Sequence, residues 1–129
     1  MTTLAVAVGG ILALFIGLQL AVFLRARAMK GKALPPVPGP LGERLAKAGR
    51  GLIYFFSPGC AACRPLTPKL QAMSRANPRV HVVDVSHHME IARALRVMGT
   101  PSLVEIEGGK IVGYHVGAPP PGLLDRWAQ

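Results

Sequence analysis

Phe55-Phe56-Ser57-Pro58-Gly59-Cys60-Ala61-Ala62-Cys63-Arg64-Pro65 decides the reading of this chain. It is the end of an apolar run, a turn, and the opening of a helix that holds both of the chain's cysteines. Residues three apart are neighbours on a helix surface, so the two sulfurs fall on one side of the first turn. The Cα separation expected there, roughly 5 Å, lies within the range a disulfide tolerates. The pair can then open and close with little backbone motion. Cys60 is expected at the helix N-terminus, among unpaired N–H groups and the positive end of the macrodipole. That field favours the thiolate, which is the nucleophile. The pattern points to thiol–disulfide exchange, with Cys60 attacking and Cys63 resolving the mixed disulfide.

Two other uses of the pair stand beside this one. Tetrahedral zinc needs four ligands, and without a second cysteine pair His87 and His88 would have to complete the site. A static structural disulfide is the other, although so short a loop constrains the unfolded chain little. The strand, turn and helix pattern around the cysteines favours redox exchange.

The chain has 129 residues, enough for one domain and an appendage, and a formal net charge of +9. Residues 1–50 hold seven of the fifteen Lys and Arg residues but only one of the six acids, Glu43. The positive charge is therefore concentrated beside the apolar N-terminus, which suits a membrane surface. No aromatic-interleaved basic patch suggests nucleic-acid binding.

Leu4 to Leu24 is apolar apart from Gln19 and glycines. About 20 such residues span a bilayer's hydrocarbon core. A cleaved signal peptide usually begins with a basic region, whereas here Arg25, Arg27, Lys30 and Lys32 follow the apolar run. Residues 1–24 are thus expected to be an uncleaved transmembrane anchor contacting lipid through residues 4–24. Gln19 is read as incidental. The positive-inside bias would put Arg25–Lys32, and the domain with them, in the cytoplasm. Residues 25–40 read as a basic, Pro-rich linker, an extended spacer that holds the domain off the membrane. Residues 41–129 are the remaining domain.

Within that domain Leu41 to Arg50 has helical composition and Gly51 is a plausible stop. Leu52 to Phe56 reads as a strand buried on both faces. Leu66, Leu70 and Met73 form a helical stripe, with a kink expected from Pro65 and Pro68. Val80 to Val85 is the next strand. Ser86 or His87 caps a helix with stripe Ile91, Leu95 and Met98, closed by Gly99. Ser102 to Glu107 and Lys110 to Val116 flank Gly108-Gly109, a hairpin signal. A short helix follows, with Leu123, Leu124 and Trp127 inward. A strand–helix–strand unit followed by a hairpin implies an α/β fold, a mixed sheet with helices on both faces.

That order, with Cys-x-x-Cys at the first strand–helix junction, resembles the thioredoxin fold. Pro68, Gly99-Thr100-Pro101-Ser102-Leu103, Gly108-Gly109-Lys110 and Val116-Gly117-Ala118 also match the family. The resemblance implies a thiol–disulfide oxidoreductase with no cofactor and no metal. Its partners would be protein thiol or disulfide substrates and an upstream redox partner. It also implies a cis Pro101 beside the disulfide, and Thr100 at a substrate groove that pairs with an extended chain.

The chain departs from the family at Ala61-Ala62 between the cysteines and at Gly59 before them. Tyr54 and Val82 stand where the family has a buried acid and its lysine partner. The Phe-Ser-Pro-Gly-Cys lead-in and the anchor look more like membrane-bound thioredoxin-like proteins that assist methylamine dehydrogenase maturation. Such relatives suggest a single-pass inner-membrane protein of bacterial type with its domain outside the cytoplasm, against the charge bias. Metal (copper) delivery by the same two soft thiolates, or an assembly protein using the same cysteines, is the alternative function. Arg64, His81, His115, Asp84 and the His87-His88 pair are read as structural or solvated residues.

Overall fold

The computed structural model describes residues 1–128. Its elements are α1 (Thr2–Met29), α2 (Pro40–Ala48), β1 (Arg50–Phe56), α3 (Thr67–Ala76), β2 (Val80–Asp84), α4 (Met89–Ala94), β3 (Ser102–Glu107), β4 (Lys110–Val116) and α5 (Leu123–Trp127). The four strands form one mixed sheet in the order β2-β1-β3-β4. β1 runs parallel to β2 and antiparallel to β3, and β3 pairs antiparallel with β4. This is the thioredoxin fold that the sequence order implied.

Central β1 explains its own unbroken apolar run. Leu52, Ile53, Tyr54 and Phe55 are all fully buried because both faces of the sheet are covered. Leu52 and Tyr54 join Leu70 and Met73 of α3 and Leu123, Leu124 and Trp127 of α5 on one face. Ile53 and Phe55 join Leu45 of α2, Ile91 of α4 and Met29 of α1 on the other. Gly108 and Gly109 both take positive φ, 60° and 73°, so the β3–β4 hairpin has the two-residue turn its sequence announced.

Several boundaries differ from the sequence reading. α2 stops at Ala48 with Gly49, not Gly51, in the left-handed conformation, and β1 starts at Arg50. Gly51 lies inside the strand, where a Cβ would come within 2.7 Å of the Leu45 side chain. α4 is shorter than its stripe suggested. It is preceded by His88 rather than Ser86 or His87, and it ends at Ala94. Arg96 then takes φ +55°, which turns the chain outward and leaves Met98 exposed instead of buried.

Residues 25–40 do not act as a free spacer. Ala26, Leu34 and Val37 pack on the core, and Met29 is buried within it. Gly31 donates its N–H to the Ile111 carbonyl at 2.6 Å, Ile111 donates to Lys32 at 2.9 Å, and Leu34 donates to Gly109 at 2.8 Å. Ala33 bridges antiparallel to Lys110. The segment thus pairs with the outer edge of β4 and covers backbone groups that would otherwise be left open.

α1 is 28 residues long, about 42 Å at 1.5 Å per residue. Its large apolar side chains between Leu4 and Leu24 point outward on every side. A helix that is apolar all round and not covered by protein is long and apolar enough to cross a membrane.

Candidate active site

The reactive segment leaves β1 at Phe56 and turns through Ser57 to Gly59, and the Cys60 N–H bonds the Ser57 carbonyl at 3.1 Å. Cys60 and Cys63 form a disulfide with a Cα–Cα separation of 5.3 Å. Cys60 is partly exposed, whereas Cys63 is 1% exposed. Only one of the two sulfurs is therefore accessible to another protein.

The cysteines do not open the long helix. Ala61–Cys63 is a 3-10 turn capped by Cys60, and α3 begins at Thr67. Pro65 lies between the two. Pro68 sits in the first turn of α3, where no backbone donor is required. The expected kink is a change of helix type: Arg64 and Leu66 donate their N–H groups to Ala61 and Cys63, so tightened turns run on from the cysteines into α3. Cys60 stands in a tight turn with its sulfur at the surface.

Two hydroxyls hold the buried cysteine. Thr67 Oγ1 donates to the Cys63 carbonyl at 2.9 Å, and Tyr54 Oη lies 2.9 Å from Thr67 Oγ1 and 3.4 Å from the same carbonyl. Burial pushes the Tyr54 phenol above its usual value, the Thr67 hydrogen bond opposing it, so it stays protonated. Tyr54 is thus a fixed donor where the family carries an acid. Sequence reading singled out Tyr54 only as a departure and missed Thr67. The spacing of Thr67 four residues after Cys63, one helical turn, is the signal that could have found it.

The Thr100–Pro101 bond is cis, as the resemblance implied, and Pro101 is buried. Thr100 Oγ1 lies 3.4 Å from Ser57 Oγ, which ties this loop to the turn before Cys60. Ser102 Oγ donates to the Gly99 carbonyl at 2.6 Å, and Gly117 donates its N–H to Pro101 at 2.8 Å. Thr100, Pro101 and the cysteine turn therefore meet at one end of the sheet.

Other singled-out residues lie apart from it. His87 and His88 stand near Asp84 and Glu90, at 3.9 and 3.5 Å. Among the described residues no group of three or more His, Cys, Asp or Glu could hold a metal ion. Asp84 accepts from the N–H and hydroxyl of Ser86, a local turn. His115 hydrogen-bonds Glu105 at 3.2 Å. His81 is not the satisfied histidine expected: it is buried and its Nε2 has no partner. Burial, then the nearby Arg44 charge, lowers its pKa.

Glu105 was not anticipated. It is 8% exposed and accepts from Trp127 Nε1 at 2.8 Å and Arg126 Nη2 at 3.1 Å, besides His115. Burial would raise its pKa, but these donors outweigh it and hold the carboxyl below its usual range. Gly113 opposite it is required, because a Cβ there would collide with the Glu105 carboxylate.

An accessible cysteine, a buried partner three residues on and a cis-proline loop tied to the same turn define a thiol–disulfide exchange domain. The family model described as Thioredoxin matches residues 41–129, and the chain belongs to that family. It is 37% identical over 92 residues to a thioredoxin of Echinococcus granulosus, covering 69% of this chain and 86% of that one. It is 31% identical over 90 residues to protein disulfide-isomerase tigA of Aspergillus niger, covering 64% of this chain and 25% of that one. The crystal structure of reduced Schistosoma mansoni thioredoxin pre-protein superposes with a TM-score of 0.57 at 27% identity, covering 69% of this chain and 88% of that one. The protein is accordingly a thiol–disulfide oxidoreductase of the thioredoxin family, a family that acts on protein thiols and disulfides.

Proposed function

We propose that this chain is a membrane-anchored oxidoreductase in which Cys60 exchanges disulfides with protein substrates and Cys63 completes the cycle. The observation that carries the assignment of roles is the exposure difference: a substrate sulfur can approach Cys60 but not buried Cys63. In the reducing direction the Cys60 thiolate attacks a substrate disulfide. A Cys60–substrate bond forms and one substrate thiolate leaves. Cys63, as thiolate, then attacks the Cys60 sulfur, so the second substrate thiolate leaves and the Cys60–Cys63 disulfide holds the oxidising equivalents. An upstream dithiol protein restores the reduced pair. The oxidising direction is the reverse.

Thr100 and Pro101 border the groove in which an extended substrate segment lies beside Cys60, the Thr100 backbone pairing with it. α1 is the anchor, in a single-pass inner membrane of bacterial type. Retention of α1 is supported by its cations, which follow the apolar stretch rather than precede it as in a cleaved leader. Copper delivery would use the same two thiolates, but among the described residues no third His, Cys, Asp or Glu groups with them.

Cys60→Ser in the full chain is expected to abolish reduction of a model protein disulfide. Cys63→Ser should accumulate a substrate mixed disulfide on Cys60. Turnover by Cys60→Ser, or trapping through Cys63 instead, would overturn this division of roles. Titration of the full chain in graded glutathione buffers gives the direction: a potential near −270 mV marks a donor and one near −120 mV an oxidant.

A further inference from the structure

Between the last turns of α1 and the loop that leads to Thr100 lies a cavity of about 510 Å3. Val22, Ala26 and Met29 of α1 form one wall, and Met98 and Val116 belong to the other. Three exposed cations, Arg25, Lys32 and Arg96, also line it, and no acidic residue does. Among the described residues none of the three stands within ion-pair distance of a carboxylate. The cavity is therefore apolar on its walls and carries uncompensated positive charge.

Its parts are held in place. Arg25 Nη1 donates to Met98 Sδ at 3.3 Å, closing the gap between helix and loop. Tyr114 Oη bonds the carbonyls of Leu95 and Arg96 at 3.0 and 2.9 Å, which fixes Arg96 in a left-handed conformation unusual for a side-chain-bearing residue. The cavity also has a defined height. Arg25 is the first charged side chain after the apolar stretch of α1, so the cations begin where a spanning helix leaves the hydrocarbon.

We propose that this cavity seats the headgroup of one anionic phospholipid, its phosphate among Arg25, Lys32 and Arg96 and its first acyl carbons against Val22 and Met98. The inference rests on α1 being a membrane anchor. A phospholipid is an anion joined to an apolar chain, and the cavity presents both matching surfaces at the level where headgroups lie. The occupied cavity would border the loop carrying Thr100 and Pro101.

The test uses the full chain in nanodiscs of phosphatidylglycerol and phosphatidylcholine, after extraction with alkaline carbonate has established whether α1 is inserted. Native mass spectrometry should show one phosphatidylglycerol retained per chain. Retention should fall by roughly tenfold or more in R25Q/K32Q/R96Q and persist in R27Q/K30Q, which removes neighbouring cations that do not line the cavity. Phosphatidylglycerol should also slow peroxide oxidation of Met98. Equal retention by the triple variant, equal loss in R27Q/K30Q, or displacement by millimolar inorganic phosphate would overturn the lipid assignment. Release by carbonate would remove the anchor and the proposal together, whereas firm insertion without retained lipid would defeat the proposal alone.

Discussion

The two faces of the sheet solve different problems. On the face toward α3 and α5, buried polar groups recur, and each has partners: Tyr54 with Thr67 and Cys63, and Glu105 with Trp127, Arg126 and His115. The face toward α1, α2 and α4 is built by apolar contact and receives the N-terminal segment through Met29. Its polar exceptions among the described residues are Tyr114 and Ser102, which are satisfied, and His81, whose Nε2 is not. The chemical face positions atoms with directional bonds, since Cys63 must sit still while its sulfur reacts. The attachment face needs only affinity, and burial supplies that without fixed angles.

The sharpest way to break this contrast is Glu105→Ala. It leaves the buried Trp127 N–H without an acceptor and removes the partner of Arg126 and His115. A loss of about 3 kcal/mol is expected in urea unfolding. Because the folded carboxyl is held below its ordinary value of 4.5, its contribution is present above that value and lost as pH falls through the lower folded pKa. The difference between wild type and Glu105→Gln should therefore shrink in acid, and a pH-independent difference would argue against an ionised carboxylate.

Met29→Ala probes the attachment face, where no directional bond is at stake. Loss of a buried side chain is expected to cost about 2 kcal/mol, with exchange at Cys60 unchanged in the folded protein. If the effect were near zero, the lead-in would not be part of the core. Deuterium exchange offers an independent check: the N–H groups of Gly31, Leu34 and Ile111 should exchange slowly if the lead-in is paired with β4, and fast if it is loose.

Tyr54→Phe removes one hydroxyl from the chemical face and leaves the ring in place. About 1 kcal/mol should be lost, and the rate of mixed-disulfide resolution by Cys63 should fall while attack by Cys60 is preserved. Equal slowing of both steps would show that Tyr54 supports the whole turn rather than Cys63.

The smallest effect is expected at His81. Its lowered folded pKa means that the unfolded chain takes up a proton which the fold resists once pH drops below 6.5. Stability should decline with acidification from there, and His81→Leu should flatten that slope with little change at pH 7.

The sequence revealed most where local chemistry and tertiary demand agree. The apolar run of β1, the Gly108-Gly109 turn and the cysteine spacing each admit few structures, and each formed as expected. The α4 stripe failed because periodicity cannot register that Tyr114, eighteen residues beyond Arg96, captures two carbonyls and ends the helix early. The supposed spacer failed similarly. Its prolines do favour an extended chain, but an extended chain is also what a sheet edge accepts. Thr100 and Pro101 were legible only through family resemblance, Thr67 was within reach of its spacing from Cys63, and Glu105 needed the fold to bring its partners close.

The bonds from Gly31, Lys32 and Leu34 to the edge of β4 have a mechanical meaning. They remove the swivel between helix and sheet. A turn of α1 about its own axis then turns the whole domain, and the Cys60 sulfur keeps one compass bearing relative to the helix face. Any neighbour that grips α1 also aims the reactive sulfur, so a partner can be chosen by direction as well as by affinity.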